Sequence, residues 1–422
     1  MSSSVTRTGE PARSLGLGSL LALGVNGIVG VGIFFTPKLV AGVVPGKAGI
    51  WAYALTLLAL LPVALTYARL GARFDRDGGP YVWASAAFGE SFAFVVGFVA
   101  YASAVLSCAA VIAGLGEYTA PLFGLGGFKR AFSIGCALLF AGITLSGLKP
   151  SAWVWSALTV LKLLPLFALI FVFFLGGHAA PQTSGAGVGS WARAVLLVMF
   201  SMQGFEIVPV PASHARSPER TVPLATVGSL VLCAVLYALL HAACVAAVPD
   251  LAKQDAPLVA AASVLGGMGL AALVGAGTNV SSIGIAFGEV AMTPRYLAAL
   301  EARGENDALR ELETRAVPRR ALAVTLVLVV VLLSVGALGR LFVLSSVAVL
   351  FQYSISVIAL CVLALRRRNG LVSRDAVVAP FALVALGLVA SAVERAELAV
   401  MGGIVALALL LWFARGRVRL FQ

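Results

Sequence analysis

Apolar residues run along this chain in blocks of about 20, one after another, with only short polar breaks between them. A helix rises 1.5 Å per residue, so about 20 residues cross a hydrocarbon core roughly 30 Å thick. Reading the apolar runs against the Gly, Pro and charged breaks predicts helices near 15–43, 48–70, 80–116, 128–148, 151–176, 189–211, 222–248, 262–299, 319–338, 340–366, 375–394 and 396–414. The pattern predicts an all-α polytopic membrane protein with about twelve transmembrane helices. It leaves no stretch long enough for a separate soluble domain of ordinary size.

Composition agrees: 60% of the 422 residues are hydrophobic, 11% are charged and the mean hydropathy is +1.01. The net charge of +12 does not mark a nucleic-acid binder, because the basic residues sit where apolar runs end and form no stripe. About 21 Lys and Arg, among them Arg69, Arg73, Arg220, Arg295, Arg319 and Arg366, fall on the side of both termini; about eight, among them Lys38, Lys129, Arg193 and Arg340, fall opposite. The positive-inside rule therefore places both termini in the cytoplasm, the membrane being a bacterial inner membrane or a plasma membrane. Residues 1–14 read as a short N-terminal tail, and the apolar stretch after them is too long and Gly-broken for a cleaved signal peptide. The segment from Glu301 to Arg320 suits either a surface amphipathic helix or a solvated loop.

The five cysteines lie scattered in apolar stretches without C-x-x-C spacing, which reads as packing rather than disulfide or zinc chemistry. His178, His214 and His241 form no metalloprotease pair, and the Gly-rich segments open no βαβ unit. No metal, cofactor or catalytic constellation is expected.

Two spans carry features a simple anchor does not need. The first holds Asn26-Gly27-Ile28-Val29-Gly30-Val31-Gly32, where three glycines ease departure from helical geometry and admit close approach to the backbone. The sixth holds Phe200-Ser201-Met202-Gln203-Gly204-Phe205-Glu206, then Pro209 and Pro211, each lacking a backbone donor. Unwound backbone survives in lipid only where it lines a cavity or binds something. A half-helix N-terminus attracts an anion and carbonyl ends attract a cation, which together match a zwitterion. Each glycine alone reads more readily as a packing residue. Breaks in spans one and six, however, are where two inverted five-helix repeats place equivalent elements.

These residues resemble the amino acid–polyamine–organocation superfamily of permeases over nearly the whole chain. Gly30-Val31-Gly32-Ile33-Phe34 with Thr36-Pro37 is similar to its first-helix motif, and Leu70-Gly71-Ala72-Arg73-Phe74, Gly78-Gly79-Pro80-Tyr81-Val82-Trp83 and Phe88-Gly89 to the loop between helices two and three. Gly147-Leu148-Lys149 with Thr159 to Leu166 resembles the fifth-helix region; Gly204-Phe205-Glu206 and Ser217-Pro218-Glu219-Arg220-Thr221-Val222-Pro223 resemble the sixth helix and the following loop. Arg69 and Ser213-His214 depart from the family, which often carries acidic residues there.

The resemblance implies a 5+5 inverted-repeat core with discontinuous helices 1 and 6, built from residues 15–176 and 189–366. Two further helices in 375–414 and a tail at 415–422 complete the chain. It implies alternating-access secondary transport of an amino acid, with the bilayer as surroundings and no nucleic-acid partner. An exporter, a polyamine or organic-cation carrier and a non-transporting sensor are the alternatives.

The expected binding residues are Ile28, Val29, Gly30, Val31 and Gly32 on the first span, with Phe200, Ser201, Met202, Gln203, Gly204 and Phe205 on the sixth. The Gly30, Val31 and Gly32 amides are expected to take the substrate carboxylate, and the Ile28, Phe200 and Gln203 carbonyls its ammonium. Ile33 and Ile285 add apolar wall, which with no free carboxylate in view favours a neutral substrate. Lys162 is the one Lys or Arg left within a span, where a charge costs about 2.5–3.5 kcal/mol on insertion scales. By resemblance its ammonium stands where sodium-coupled relatives bind the cation, which implies sodium independence; the other reading is an ammonium that satisfies freed carbonyls without titrating. Glu206 reads as a proton relay or a tie for the broken helix, Ser281 and Ser282 as cavity-facing or as packing residues, and Glu289 and Glu117 as weaker candidates, the other reading being carboxyls that reach water at an interface.

Overall fold

The computed structural model describes residues 15–74, 79–146, 152–176, 190–209, 215–301 and 318–418. Among these residues the fold is helical, with one isolated parallel bridge, Leu15 to Ala215, as its only β pairing. The helices are α1 (Leu17–Ile28), α2 (Gly32–Ala41), α3 (Ile50–Gly71), α4 (Pro80–Phe88), α5 (Glu90–Thr119), α6 (Lys129–Leu145) and α7 (Ala152–Gly176). After them come α8 (Trp191–Met202), α9 (Pro218–Ala247), α10 (Pro257–Glu301), α11 (Arg319–Val335), α12 (Leu338–Leu365), α13 (Val378–Ala390) and α14 (Arg395–Val418).

Eight helices among the described residues are long and apolar enough to cross a membrane, and α1 with α2 makes a ninth if the bent pair is one span. The sequence's runs and these helices coincide, but four runs are not straight. The run 15–43 divides after Ile28, and its halves meet at 53°. The run 80–116 divides at Gly89, whose φ of 92° a side chain resists, leaving α4 as a separate short helix. The run 189–211 stops as a helix at Met202, where Gln203 turns extended and Gly204 takes φ 117°. In the eighth run, α10 is longer than 262–299 and bends at Gly267, φ 73°.

Helix starts follow local chemistry. Pro80 and Pro218 open α4 and α9, where the missing N–H costs nothing. Ser190 caps α8 by accepting from the Arg193 N–H at 3.3 Å. Proline 165, inside α7, becomes a packing feature, because Gly277 of α10 lies directly against its ring.

The core joins α3, α5, α9, α10 and α12 around the broken segments, with Phe34, Phe205, Phe342, Tyr67, Tyr237 and Tyr353 fully buried. Outward faces carry Phe167, Phe171 and Phe174 on α7 and Leu410 and Phe413 on α14. Such a distribution suits a molecule solvated by lipid, where only helices with internally satisfied backbones are stable. The 1–14 tail, Lys149, Ser213-His214 and most of the Glu301–Arg320 segment lie outside the described residues.

Candidate functional site

At the first break α1 ends with Ile28, Val29 turns extended (φ −73°, ψ 91°) and Val31 leads into α2. This frees carbonyls at the end of α1 and amides at the start of α2. Three side-chain bonds hold the carbonyl end. Lys162 of α7 donates to the Asn26 and Val29 carbonyls, both at 2.7 Å, and the Tyr237 hydroxyl of α9 donates to the Ile28 carbonyl at 2.9 Å. Tyr118 of α5 donates to the Phe34 carbonyl at 2.7 Å, fixing α2 from its other side.

The second break lies against the first. A Cβ placed on Gly204 would fall on the carbonyl of Gly27, and one on Gly27 would stand 2.9 Å from the Gly204 oxygen and 2.5 Å from Ile207 Cδ1. A Cβ on Gly32 would stand 2.8 Å from the Ser201 Cα. The glycines of both breaks thus let main chain meet main chain, with no side chain between them. Gly30 differs, its nearest neighbour being Ile285 Cδ1 of α10 at 3.0 Å.

Glu206 turns back on its own segment, and its Oε2 accepts from the Gly204 N–H at 2.8 Å. That bond caps the 3-10 turn Phe205–Ile207 and fixes the positive-φ conformation of Gly204. Phe205 packs among Tyr67 of α3 and Tyr353 of α12, at ring separations of 6.0 and 5.6 Å. Phe200 stacks on Phe342 of α12 at 4.0 Å and 13°, and Phe342 meets Phe35 edge-on. Met202 is fully buried, and Ser201 spends its hydroxyl on the Val198 carbonyl.

Of the residues expected from sequence, the two glycine segments, Lys162 and Glu206 therefore stand together. Gln203 Nε2 and the hydroxyls of Ser281 and Ser282 on α10, and of Ser345 and Ser346 on α12, are buried with no partner among the described residues. Buried polar groups of this kind ordinarily find a hydrogen bond, so these side chains have bonding capacity to offer. Among the described residues no group of three His, Cys, Asp or Glu is placed to hold a metal.

Tyr237 was not singled out in the sequence, although it is as much a part of the first break as Lys162. The available signal was a tyrosine in the middle of an apolar run, whose hydroxyl must find a partner once buried. Glu117 pairs with Lys129 at 2.6 Å, away from the breaks. His241 meets Tyr53 at 3.3 Å.

Many apolar spans, a broken first span and an interrupted helix packed on it by main-chain contact define a polytopic helical membrane protein with a central helix-break site. A family described as amino acid permease matches residues 15–413. The chain belongs to that family, which is one of transporters, not enzymes.

Similar proteins include the branched-chain amino acid permease BcaP of Lactococcus lactis, 28% identical over 67% of this chain and 70% of the relative. The serine/threonine exchanger SteT of Bacillus subtilis is 27% identical over 69% of this chain and 68% of its own length. Human cationic amino acid transporter 4 is 26% identical over 56% of this chain and 41% of the relative. Together with the apolar helices, these relatives support amino acid transport by an integral membrane protein.

Proposed function

We propose that this protein is a sodium-independent secondary transporter of neutral amino acids that works by alternating access. The observation that carries the proposal is the Lys162 ammonium seated on the Asn26 and Val29 carbonyls. Carbonyl oxygens freed at a helix break are the ligands a sodium ion would otherwise use, and here they are already bonded to a cationic side chain. Coupling is then to protons or to exchange of a second amino acid.

The substrate carboxylate would sit at the start of α2, on the Gly30, Val31 and Gly32 amides, where the helix dipole favours an anion. The ammonium would sit at the end of α8, on the Phe200 and Gln203 carbonyls. Ile28 contributes less than its position suggests, because its carbonyl carries the Tyr237 hydroxyl. Ser281, Ser282 and the Gln203 amide offer polar contacts for the rest of the molecule.

A neutral cargo fits because Glu206 is engaged by Gly204 and the surrounding wall is apolar. The named branched-chain and serine/threonine relatives favour the same class, and the cationic relative favours the alternative. In this reading the chain has twelve spans, repeats over 15–176 and 189–366, an added pair in 375–414, and both termini in the cytoplasm.

Uptake by purified protein in liposomes, screened across the common amino acids in sodium and in choline buffer, tests the whole proposal. Neutral amino acids should be taken up equally in both. Arginine or lysine outcompeting every neutral amino acid would sink the substrate assignment, and a strict sodium requirement would sink the coupling assignment.

A further inference from the structure

Glu289 is a carboxyl on α10 that the mechanism above leaves unused. It lies four residues after Ile285, the side chain nearest Gly30. Residues four apart stack on one helix face, so Glu289 stands one turn, about 6 Å, along α10 from the level of the first break. Ser281 and Ser282 occupy the same face one turn in the other direction. A second observation comes from the space beside it. Its chain neighbour Val290 and the neighbouring helix's Cys108 line a small cavity with Leu322, Thr325, Leu326 and Val329 where α5, α10 and α11 meet.

The partners of Glu289 are hydroxyls. Its Oε1 accepts from Ser107 of α5 at 3.4 Å and its Oε2 from Thr293 at 3.3 Å. Among the described residues no lysine or arginine pairs with it. This matters because a basic partner would hold the carboxylate ionised, whereas a hydroxyl both donates and accepts. Ser107 and Thr293 can donate to the carboxylate, and either can accept from the protonated acid. Both bonds are long beside the usual 2.7–2.8 Å for O–H···O, and the Ser107 bond crosses between helices, so a small displacement of α5 against α10 remakes it.

The other groups facing it do not supply a fixed charge. From α5 comes the Cys108 thiol, and from its own helix the Tyr296 phenol, which also stands within electrostatic reach of Glu206. Beside Val290 on α11, Thr325 is bonded to Tyr101 at 3.0 Å, and Phe140 of α6 packs on Phe287, two residues before Glu289. The cation on α7, Lys162, is engaged at the first break.

We propose that Glu289 is a proton-binding site of the transport cycle, alternately reached from the two sides of the membrane, with Ser107 and Thr293 exchanging donor and acceptor roles as it titrates. The step forms one O–H bond on the carboxylate with a proton taken from water on one side. It breaks that bond to water on the other side, and no other bond changes. The proposal rests on the transporter reading and selects proton coupling within it.

Infrared difference spectra of the purified full chain in lipid, recorded across pH for wild type and Glu289→Gln, ask directly whether this carboxyl titrates. The expected result is a protonated-carboxyl C=O band that grows as pH falls in wild type and is missing from Glu289→Gln, the amide bands showing equal helicity. A Ser107→Ala variant should shift the midpoint of that band. If no Glu289-dependent band changes with pH, the proposal is overturned, whatever the protein carries. In liposomes loaded with a pH-sensitive dye, protons moved per amino acid carried should be lost in Glu289→Gln; a ratio equal to wild type also overturns it. Should wild type carry no amino acid, the transport reading fails by itself, and the spectra still decide whether Glu289 takes the proton.

Discussion

The ammonium of Lys162 meets the carbonyl of Val29 at 2.7 Å across 133 positions of sequence. With the matching bond to Asn26 it makes α7 a structural part of the first break rather than a neighbour of it. Removing the amine leaves two buried carbonyls short of a donor, at about 1–3 kcal/mol each. Lys162→Ala should lose most uptake and melt at lower temperature, while wild-type uptake stays the same when choline replaces sodium. A variant with the wild-type rate and melting temperature would show that this bond does not support the site.

The contact of Gly204 with Gly27 sets a steric limit. Alanine at 204 must take a positive φ, at about 1–3 kcal/mol, and must also displace the Gly27–Ile28 backbone. Gly204→Ala and Gly32→Leu should abolish substrate binding in a calorimetric or thermal-shift titration. Gly30→Leu, whose nearest neighbour is the flexible tip of Ile285, should weaken binding less than Gly32→Leu does. Equal, undiminished affinity in the variants would remove the breaks from the binding site.

Arg193 clasps the start of α8 to the accessory end of the chain. Its two terminal nitrogens reach the two oxygens of Glu397 at 2.9 Å each, and the side chains are 23% and 12% exposed. Arg193 also reaches Glu394 at 3.3 Å and Glu397 keeps a bond from the Glu394 N–H, so Arg193→Ala should destabilise by about 1–3 kcal/mol in detergent. The Arg193→Ala/Glu397→Ala double variant should lose less than the sum of the single losses. Strict additivity of the melting shifts would mean that the pair contributes no coupling.

Lys38 and Asp255 join the end of α2 to the segment before α10 at 2.7 Å, and the hydrogen bond from Lys38 holds the Asp255 carboxyl below its ordinary value. A carboxyl so depressed contributes above its unfolded pKa and loses the contribution as pH falls through the folded value. Asp255 is 75% exposed, so the worth is small, about 1 kcal/mol or less. The stability difference between wild type and Asp255→Asn should therefore be flat between about pH 5 and 8, shrink with salt, and close only in acid. A difference that closes on raising the pH from neutral would contradict this sign.

The helices were legible because a membrane span announces itself through length and hydrophobicity alone, and both the glycine cluster at 27–32 and Gly204 with its flanking prolines mark departures from that monotony. What the sequence withheld was pairing. Lys162 is conspicuous as a charge, but its acceptors are carbonyls, which every residue has, so Asn26 and Val29 carry no sign of the bond. Tyr237 and Ser107 look like ordinary members of apolar helices until the fold brings another helix within reach. Gly89 was visible as a glycine, but a straight run from 80 to 116 fitted the pattern as well as the sharp turn that divides α4 from α5.

The main-chain contact between Gly27 and Gly204 has a bearing on how such a protein can change its diet over evolutionary time. If the part of a substrate common to all amino acids is held by peptide groups, no side-chain replacement on α5, α10 or α12 alters that grip. Those helices are then free to vary what they accept, and a new preference needs no rebuilding of the site that recognises an amino acid as such. The corresponding loss of freedom falls on the glycines, where even one added methyl group collides with backbone.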